Sequence, residues 1–338
     1  MSIAGAPPTI SVTMATYNVA PYVAASVESV LSQSFTDFEF IIVDDGSTDN
    51  TRKILQHYAD QDTRIRLVFK SQNGGLAAAR NDAIVIARGD WVTFLDGDDI
   101  FRKDMLEKAV SAGQAADADM VLWDFTTFSD ETAISTSSTS SRLATIDGDD
   151  RSALLALPAF AWTRLIRRDA LLQHKIQFAN GLTYQDVPPH WVQMTALNKI
   201  ALVSERLVFY RQQPNATTAK TSWKRADYFH ILDQVAEYLR TSGLEQVYGD
   251  ILVQRQLEAW AGVYDIIDPD LKPRVLDMIT NRYSATHTEY IRSNKPLRWR
   301  ARTFFKALNG QTSAKLALAL WTNTRQLYRW LSKIAVTA

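Results

Sequence analysis

Short apolar runs alternate with segments of helical spacing over the first 125 residues. Residues 10–16, ISVTMAT, are β-prone and follow a Pro-Pro lead-in. After Pro21, the positions Val23, Val27, Val30 and Leu31 recur at helical spacing, which predicts a helix over 21–33 with proline in its first turn. Phe38–Val43 is a short apolar run of the kind that suits a strand covered on both faces. It ends in Asp44-Asp45-Gly46-Ser47-Thr48-Asp49, where Ser47 or Thr48 is placed to cap a helix over about 49–58. Ile65–Phe69 reads as a third strand, Leu76–Ala87 as an alanine-rich helix, and Trp91–Leu95 as a fourth strand. A helix over 103–113 and a strand over 119–123 follow. This order predicts an α/β fold with a mostly parallel sheet and helices on both faces. Ligands of such sheets bind outside the carboxyl ends of the strands.

The pattern then changes. Residues 129–148 are rich in Ser, Thr and Asp and read as a flexible loop. A helix near 187–197 and two short strands, 200–203 and 207–211, are expected in an otherwise irregular stretch. From 223 the chain reads as helical, roughly over 223–241, 244–265, 268–280, 297–308 and 313–334, and no internal repeat is visible.

Composition narrows the class. Of 338 residues, 46% are hydrophobic and 22% charged, which excludes a disordered, collagen-like or coiled-coil protein. The absence of cysteine excludes a disulfide scaffold, a cysteine-ligated zinc site and a cysteine nucleophile. The first ten residues lack the basic and apolar regions of a signal peptide, and no stretch reaches the roughly 18–20 apolar residues that span a bilayer. The expectation is a cytoplasmic protein, at most peripheral on the inner face of the membrane. A formal charge of zero hides an asymmetry: ten Lys and Arg and no acid follow Glu289, so residues 1–289 carry −10. Trp299, Trp321 and Trp330 lie in this basic tail.

The candidate chemistry sits at strand ends. Asp96-Gly97-Asp98-Asp99 packs three carboxylates into four residues. Carboxylates so close repel one another, and a divalent cation relieves that cost. All-oxygen donors suit Mg²⁺ or Mn²⁺, although an Asp-rich turn or helix cap is an equal reading of this cluster alone. Asp44-Asp45-Gly46-Ser47 repeats the logic at the second strand, where a carboxylate accepts bonds from a base or ribose, or simply shapes a turn. Asn73-Gly74-Gly75 opens a helix that carries Arg80, so backbone N–H groups and a guanidinium are available to a phosphate. Neither the Walker pattern nor the Gly-x-Gly-x-x-Gly fingerprint is present.

Taken together, Ala15-Thr16-Tyr17-Asn18, Val43–Asp49, Asn73-Gly74-Gly75 with Ala79-Arg80-Asn81, and Leu95–Asp99 closely resemble family 2 glycosyltransferases with the GT-A fold. The resemblance covers about residues 8–125 and implies a nucleotide-sugar site made by Thr16, Tyr17, Asp45, Arg80, Asp96 and Gly97. Tyr17 would stack near the base, Asp45 would read base or ribose, Asp96 would lie near the ribose, and Asp98 would bind Mn²⁺ or Mg²⁺. Asp99 is either a third acid or a helix cap. A second block resembles the family's acceptor half: Phe160–Leu165 with Trp162, Tyr184-Gln185-Asp186 with Asp186 as catalytic base, and Phe209-Tyr210-Arg211 followed by Asn215–Thr218. Where the family has Glu before the base, Gln185 stands here. Trp162 and His190 are candidates for the acceptor side and Arg211 for a phosphate contact, each with packing as the rival role.

The resemblance implies an inverting, metal-dependent transfer from a nucleotide-diphosphate sugar, with a UDP-sugar favoured, to a glycan or lipid-linked acceptor. Polysaccharide or glycolipid synthesis is the implied setting. The rival readings are a nucleotidyltransferase and a sugar-nucleotide-binding protein that has lost catalysis. The expected organisation is a GT-A domain over 1–222, with a donor half at 8–125 and an acceptor half at 150–222, and a helical region over 223–338. The basic, aromatic segment 290–338 suits an anionic membrane surface, or else docking on the acidic body. No nucleic-acid motif accompanies its charge.

Overall fold

The apolar runs become strands because each can be covered on both faces. In the computed structural model β1 is Ile10–Thr16, β2 Phe38–Asp44, β3 Ile65–Phe69 and β4 Trp91–Asp96. Every residue of β1 and β2 is buried. The intervening helices are α1 Val23–Leu31, α2 Thr51–Ala59 and α3 Leu76–Ile86. After β4 come β5 Ile100–Phe101, α4 Met105–Ala115 and β6 Met120–Phe128. Then follow α5 Arg151–Ala156, β7 Arg164–Arg167, α6 Arg168–Gln173, α7 Val187–Ala196 and β8 Ile200–Arg211. The structure describes residues 6–129, 141–212, 222–293 and 295–310.

These strands form one eight-stranded sheet in the order β3-β2-β1-β4-β7-β6-β8-β5. The half from β3 to β4 is parallel, as expected, and β7 runs antiparallel to both β4 and β6. Register matters for the site. Thr16 pairs with Asp44, Asp44 with Phe69, and Ala15 with Asp96. Three strands therefore end level, with β2 and β4 one strand spacing to either side of β1.

Two local expectations are corrected. The two strands expected at 200–203 and 207–211 are one strand, β8, because register shifts opposite Trp123–Phe125 absorb the polar interruption. Within it Glu205 pairs with Arg102 and Lys108 at 2.7 and 2.6 Å. Ser47 and Thr48 do not cap α2, whose N-cap is Asn50 without a side-chain bond. They tie back to Asn18 instead: Asn18 N donates to Ser47 Oγ at 2.9 Å and Thr48 N to Asn18 Oδ1 at 2.8 Å.

The chain divides into two compact units, Met1–Ala219 and Lys220–Ala338. In the second, α8 Asp227–Thr241, α9 Glu245–Ile266, α10 Lys272–Arg282, α11 Ala285–Arg292 and α12 Trp299–Leu308 are the helices among the described residues. Their core includes Phe229, Leu257, Trp260, Ile279, Phe304 and Phe305. No helix among the described residues is long and apolar enough to cross a membrane.

The described part of the basic tail uses its apolar face within this unit. Phe304 and Phe305 are buried, with Phe304 against Tyr264 and Phe305 against Tyr283 and Trp260. Lys295 pairs with Asp250, Arg298 with Glu258 and Arg300 with Asp265. For residues 295–308 the docked reading therefore replaces the membrane-facing one, since the face that would enter lipid is core. Trp299 remains 60% exposed. The helix expected at 313–334, with Trp321 and Trp330, lies outside the described residues, as does the segment Asn215–Thr218.

His287 carries the clearest pH dependence of this unit. It is 6% exposed, bonds Gln256 Oε1 through Nε2 at 3.1 Å, and burial pushes its pKa down to about 4. The unfolded chain binds that proton at about pH 6.5, so its contribution is complete above about 6.5 and declines as pH falls toward 4. The loss over that window is about 3 kcal/mol. Urea midpoints between about pH 7 and 4.5 should show this slope in the wild type. His287→Gln should be less stable at neutral pH yet flatter across the window, and an unchanged slope would exclude His287 as its source.

Candidate active site

The level ends of β1, β2 and β4 bring the motifs together. Thr16, buried, donates its hydroxyl to Asp44 Oδ1 at 3.3 Å, and Asp44 also receives Arg52 Nε at 2.6 Å and Ser47 N at 3.0 Å. Thr16 thus braces the edge of the site from below, where a donor contact was expected. Asn18 follows with φ of +52°, a left-handed conformation that Asn tolerates. Between the two, Tyr17 stands 47% exposed and is available for stacking.

Asp45 is buried and fully engaged. Lys70 Nζ lies 2.7 Å from Oδ1, and Oδ2 accepts Gly74 N at 3.1 Å and Gly75 N at 2.6 Å. Its carboxylate therefore shapes the glycine loop at the start of α3. Burial opposes the Lys70 cation, but the hydrogen bond and charge of Asp45 outweigh it and raise the Lys70 pKa. The loop needs its glycines: a Cβ on Gly46, at φ +82°, would lie 2.8 Å from Asn73 N, and one on Gly74 would lie 2.7 Å from Lys70 Nζ.

On α3, Arg80 is 2% exposed and joins two carboxylates. Nη2 donates to Asp96 Oδ1 at 2.5 Å, Nη1 donates to Asp186 Oδ1 at 2.6 Å, and the guanidinium lies over the Phe178 ring at 5.1 Å. Burial disfavours the Arg80 charge, yet Asp186 and Asp96 outweigh burial and raise its pKa. Arg80, expected to contact a phosphate, is buried here and held between two acids. Asp186, at the N-cap of α7, keeps a side-chain exposure of 22%. Burial raises its pKa, with Arg80 and Arg164 pulling the other way. The turn before it is strained, since Tyr184 sits at φ +62°, an outlier for a bulky side chain. Gln185, in the place of the family's Glu, is buried, and its Oε1 has no hydrogen-bond partner among the described residues.

The acidic turn after β4 closes against the end of β8. Asp99 is buried and accepts Arg211 N at 2.8 Å, while Arg211 Nε donates to Asp98 O at 2.8 Å. The Arg211 guanidinium stacks on Tyr22 and Phe128 at 4.8 and 4.5 Å. Arg211 is thus a buried strut for the acidic turn. Asp99 does not cap α4, whose N-cap is Asp104. Burial, then the charges of Asp98 and Asp96, hold the Asp99 carboxyl well above the usual range. Its Oδ2 is buried without a partner among the described residues.

These residues fit a divalent ion. The donors are all oxygen, the acids are crowded, and one buried carboxylate oxygen is orphaned. Among the described residues no three His, Cys, Asp or Glu side chains form a metal cluster.

Trp162 and His190, expected on the acceptor side, are each 2% exposed. Trp162 stacks on Phe160 and Tyr210 at 4.7 and 5.1 Å, with Phe125 edge-on. His190 contacts Arg164 Nη1 and Leu155 O, each at 3.4 Å. Both side chains belong to the packed support of the site. Phe160 and Tyr210 keep partial exposure. Burial, then the charges of Asp99, Asp96 and Asp98, raise the Tyr210 pKa, which places its ring close to the acids.

Sequence reasoning missed Lys70, Arg164 and Phe178. Lys70 directly follows β3, whose last residue, Phe69, pairs with Asp44, a position that was a usable signal. Arg164 lay within the Phe160–Leu165 segment but reads as surface charge; it is buried, and burial lowers its pKa to about 10. Phe178 carried no signal.

Comparison with known proteins places this geometry. Residues 11–174 match the family model described as glycosyl transferase family 2. The chain is 29% identical to glycosyltransferase GlyG of Streptococcus pneumoniae serotype 4 over 234 residues, covering 64% of this chain and 76% of GlyG. It is 50% identical to the putative teichuronic acid biosynthesis glycosyltransferase TuaG of Bacillus subtilis over 101 residues, which cover 30% of this chain and 40% of TuaG. Among solved structures, S. aureus TarS 1-349 in complex with UDP-GlcNAc superposes with a TM-score of 0.58 at 18% identity, over 90% of this chain and 92% of that one. The mannosyltransferase PcManGT from Pyrobaculum calidifontis, in complex with GDP-Man and Mn²⁺, gives 0.54 at 16% identity, over 96% and 88%. At these identities the likeness speaks for the fold.

The engagement of Asp45 has a direct consequence. Asp45→Ala leaves the N–H groups of Gly74 and Gly75 without their acceptor and Lys70 with only the more distant Asp82 at 3.6 Å, which should lower stability by about 1–3 kcal/mol. Amide exchange at Gly74 and Gly75 should rise with it. A variant with an unchanged urea midpoint and full protection at both amides would show that the loop holds its shape without Asp45.

Proposed function

We propose that this chain, which belongs to glycosyl transferase family 2 and is a glycosyltransferase, moves a sugar from a nucleotide-diphosphate donor to an acceptor hydroxyl with inversion at the anomeric carbon. The observation that carries this reading is the bridge from Asp96 through Arg80 to Asp186, at 2.5 and 2.6 Å. It sets a partly exposed carboxylate beside the acidic strand end. The ligands of the structural neighbours, UDP-GlcNAc, UDP and GDP-Man, support a nucleotide-diphosphate sugar, and the TarS complexes favour a UDP-sugar.

In this reading Asp186 accepts the acceptor hydroxyl's proton as that oxygen bonds to the anomeric carbon. The bond to the diphosphate breaks on the opposite face and the electron pair leaves with the nucleotide. Burial makes the Asp186 carboxylate more basic, while Arg80 favours its ionised form and aims it. One base on the far face of the sugar corresponds to a single inverting displacement, which needs no second, nucleophilic carboxylate. Tyr17 offers its exposed ring to the base. The oxygens of Asp45 are taken, so Asp45 acts on the donor through the loop and the Lys70 cation that it positions. Asp98 would hold Mn²⁺ or Mg²⁺, which supplies charge neutralisation for the departing diphosphate when bound. Arg211 and Asp99 fix the turn that carries Asp98. The half-buried faces of Phe160 and Tyr210 suit a sugar ring, which supports a glycan or lipid-linked glycan as acceptor.

A panel of UDP- and GDP-sugars, each with and without Mn²⁺, should contain a nucleotide that raises Tm in a metal-dependent way. Asp98→Ala should abolish that metal-dependent part. Asp186→Asn should keep the Tm shift while release of nucleoside diphosphate slows by about 10²–10⁴-fold. Near-normal turnover in Asp186→Asn would remove that residue from the chemistry.

A further inference from the structure

We infer that Arg80 and its neighbour Asn81 form a two-point clamp that positions Asp186. The inference rests on the reading of Asp186 as the base, and it assigns to α3 a role distinct from phosphate binding. The segment between Phe178 and Asp186 lacks a strand ladder or helix to hold it. It contains two left-handed residues, Gly181 at φ +75° and Tyr184 at φ +62°. Its internal backbone bonds include Ala179 N to Gln185 O at 3.3 Å and Val187 N to Tyr184 O at 3.0 Å, neither of them part of a ladder or helix. Such a segment takes its position from what grips it.

Consecutive residues of α3 grip it at both ends. Asn81 pairs with the backbone of Phe178 in both directions: Phe178 N donates to Asn81 Oδ1 at 2.9 Å, and Asn81 Nδ2 donates to Phe178 O at 3.0 Å. The same Nδ2 lies 3.2 Å from Asn180 Oδ1. Arg80 covers the Phe178 ring and reaches on to Asp186 at 2.6 Å, with its other nitrogen on Asp96. The planar fork of arginine is what allows one side chain to hold two carboxylates; the point charge of lysine has no such geometry. The helix that carries both residues begins at Gly75, whose N–H is bonded to Asp45 at 2.6 Å. One rigid element therefore runs from the glycine loop to the proposed base. A displacement of about 1 Å at a reacting group costs on the order of 10²-fold in rate, so the clamp acts on turnover more than on fold.

Two measurements on Arg80→Gln, Arg80→Lys, Asn81→Ala and Asn81→Asp test this. The first needs no turnover. Hydrogen exchange followed by mass spectrometry should show protection lost over 178–187 in Arg80→Gln and Asn81→Ala, with β1, β2 and β4 unchanged. Protection in that segment equal to wild type in both variants overturns the clamp. The milder Arg80→Lys and Asn81→Asp are read in the same way where a stronger variant does not fold. The second measurement is UDP affinity in the presence of Mn²⁺ against turnover of the donor found in the panel. Expected are a turnover loss of about 10²-fold, UDP affinity within about threefold, and an acid limb of the pH profile moved upward in Arg80→Gln. Arg80→Lys should restore the limb while recovering only part of the rate. UDP affinity falling in step with turnover, with the acid limb in place, would make Arg80 a donor contact and overturn the inference. If Asp186→Asn itself turns over normally, the base reading fails, and the exchange result still decides whether the clamp exists.

Discussion

A guanidinium buried in a protein costs several kcal/mol unless its charge is matched. Arg80 meets that condition only because two carboxylates reach it from separate stretches of the chain, Asp96 at the end of β4 and Asp186 at the start of α7. Removing either acid leaves a buried cation half paired. The arrangement therefore ties the parallel part of the sheet to the segment after β7 by an interaction that neither can satisfy alone. It also explains why α3 tolerates an arginine on its buried face, flanked by Ala77, Ala79 and Ala83. The small neighbours leave room for a long charged side chain to run inward.

A similar economy recurs around the crevice, where buried charges are met by backbone as often as by side chains. Asp45 takes two glycine N–H groups, Asp99 takes the N–H of Arg211, and Asp44 takes that of Ser47. Each of these bonds joins a strand end to a loop, and charge-assisted bonds of this kind are among the stronger ones. The loops are therefore shaped by the acids, which lets irregular backbone hold a defined site. The rigid parallel register of β1 with β2 and β4 is what places those acids level in the first place.

The donor-side half was legible in the sequence because its signals are local. Apolar runs such as 10–16 and 65–69 became strands with the expected bounds, and Asp45, Asp96 and Asp98 stand at strand ends as the alternation implied. The rest depended on contacts across long separations. Arg80 looks like a solvated helix residue until Asp186, 106 positions later, is known to reach it. β7 is four residues long with arginine at both ends, and nothing in RLIR marks a strand between β4 and β6. The continuity of β8 through Ser204-Glu205-Arg206 rests on a bulge opposite Asp124, which periodicity does not encode. In the tail, amphipathic spacing was visible at 297–308, but the same spacing serves a membrane and a protein core equally. Only the burial of Phe304 and Phe305 decides between them.

Electrostatics give the last constraint on the proposed reaction. A nucleotide diphosphate brings negative charge to an edge that already holds Asp96, Asp98 and Asp99. The cations nearest that edge are committed: Arg80 to Asp96 and Asp186, and Arg211 to Asp99 through its backbone and to Asp98 O through Nε. Repulsion between unit charges at 4 Å is about 4 kcal/mol at the effective dielectric of a partly buried site. Such pairs oppose a diphosphate in the crevice. In the proposed reading a divalent ion held by Asp98 would neutralise part of that charge. Burial, then the charges of Asp98 and Asp96, raise the Asp99 pKa, and a cation at the proposed Asp98 site would relieve the part of that cost that comes from the crowded acids.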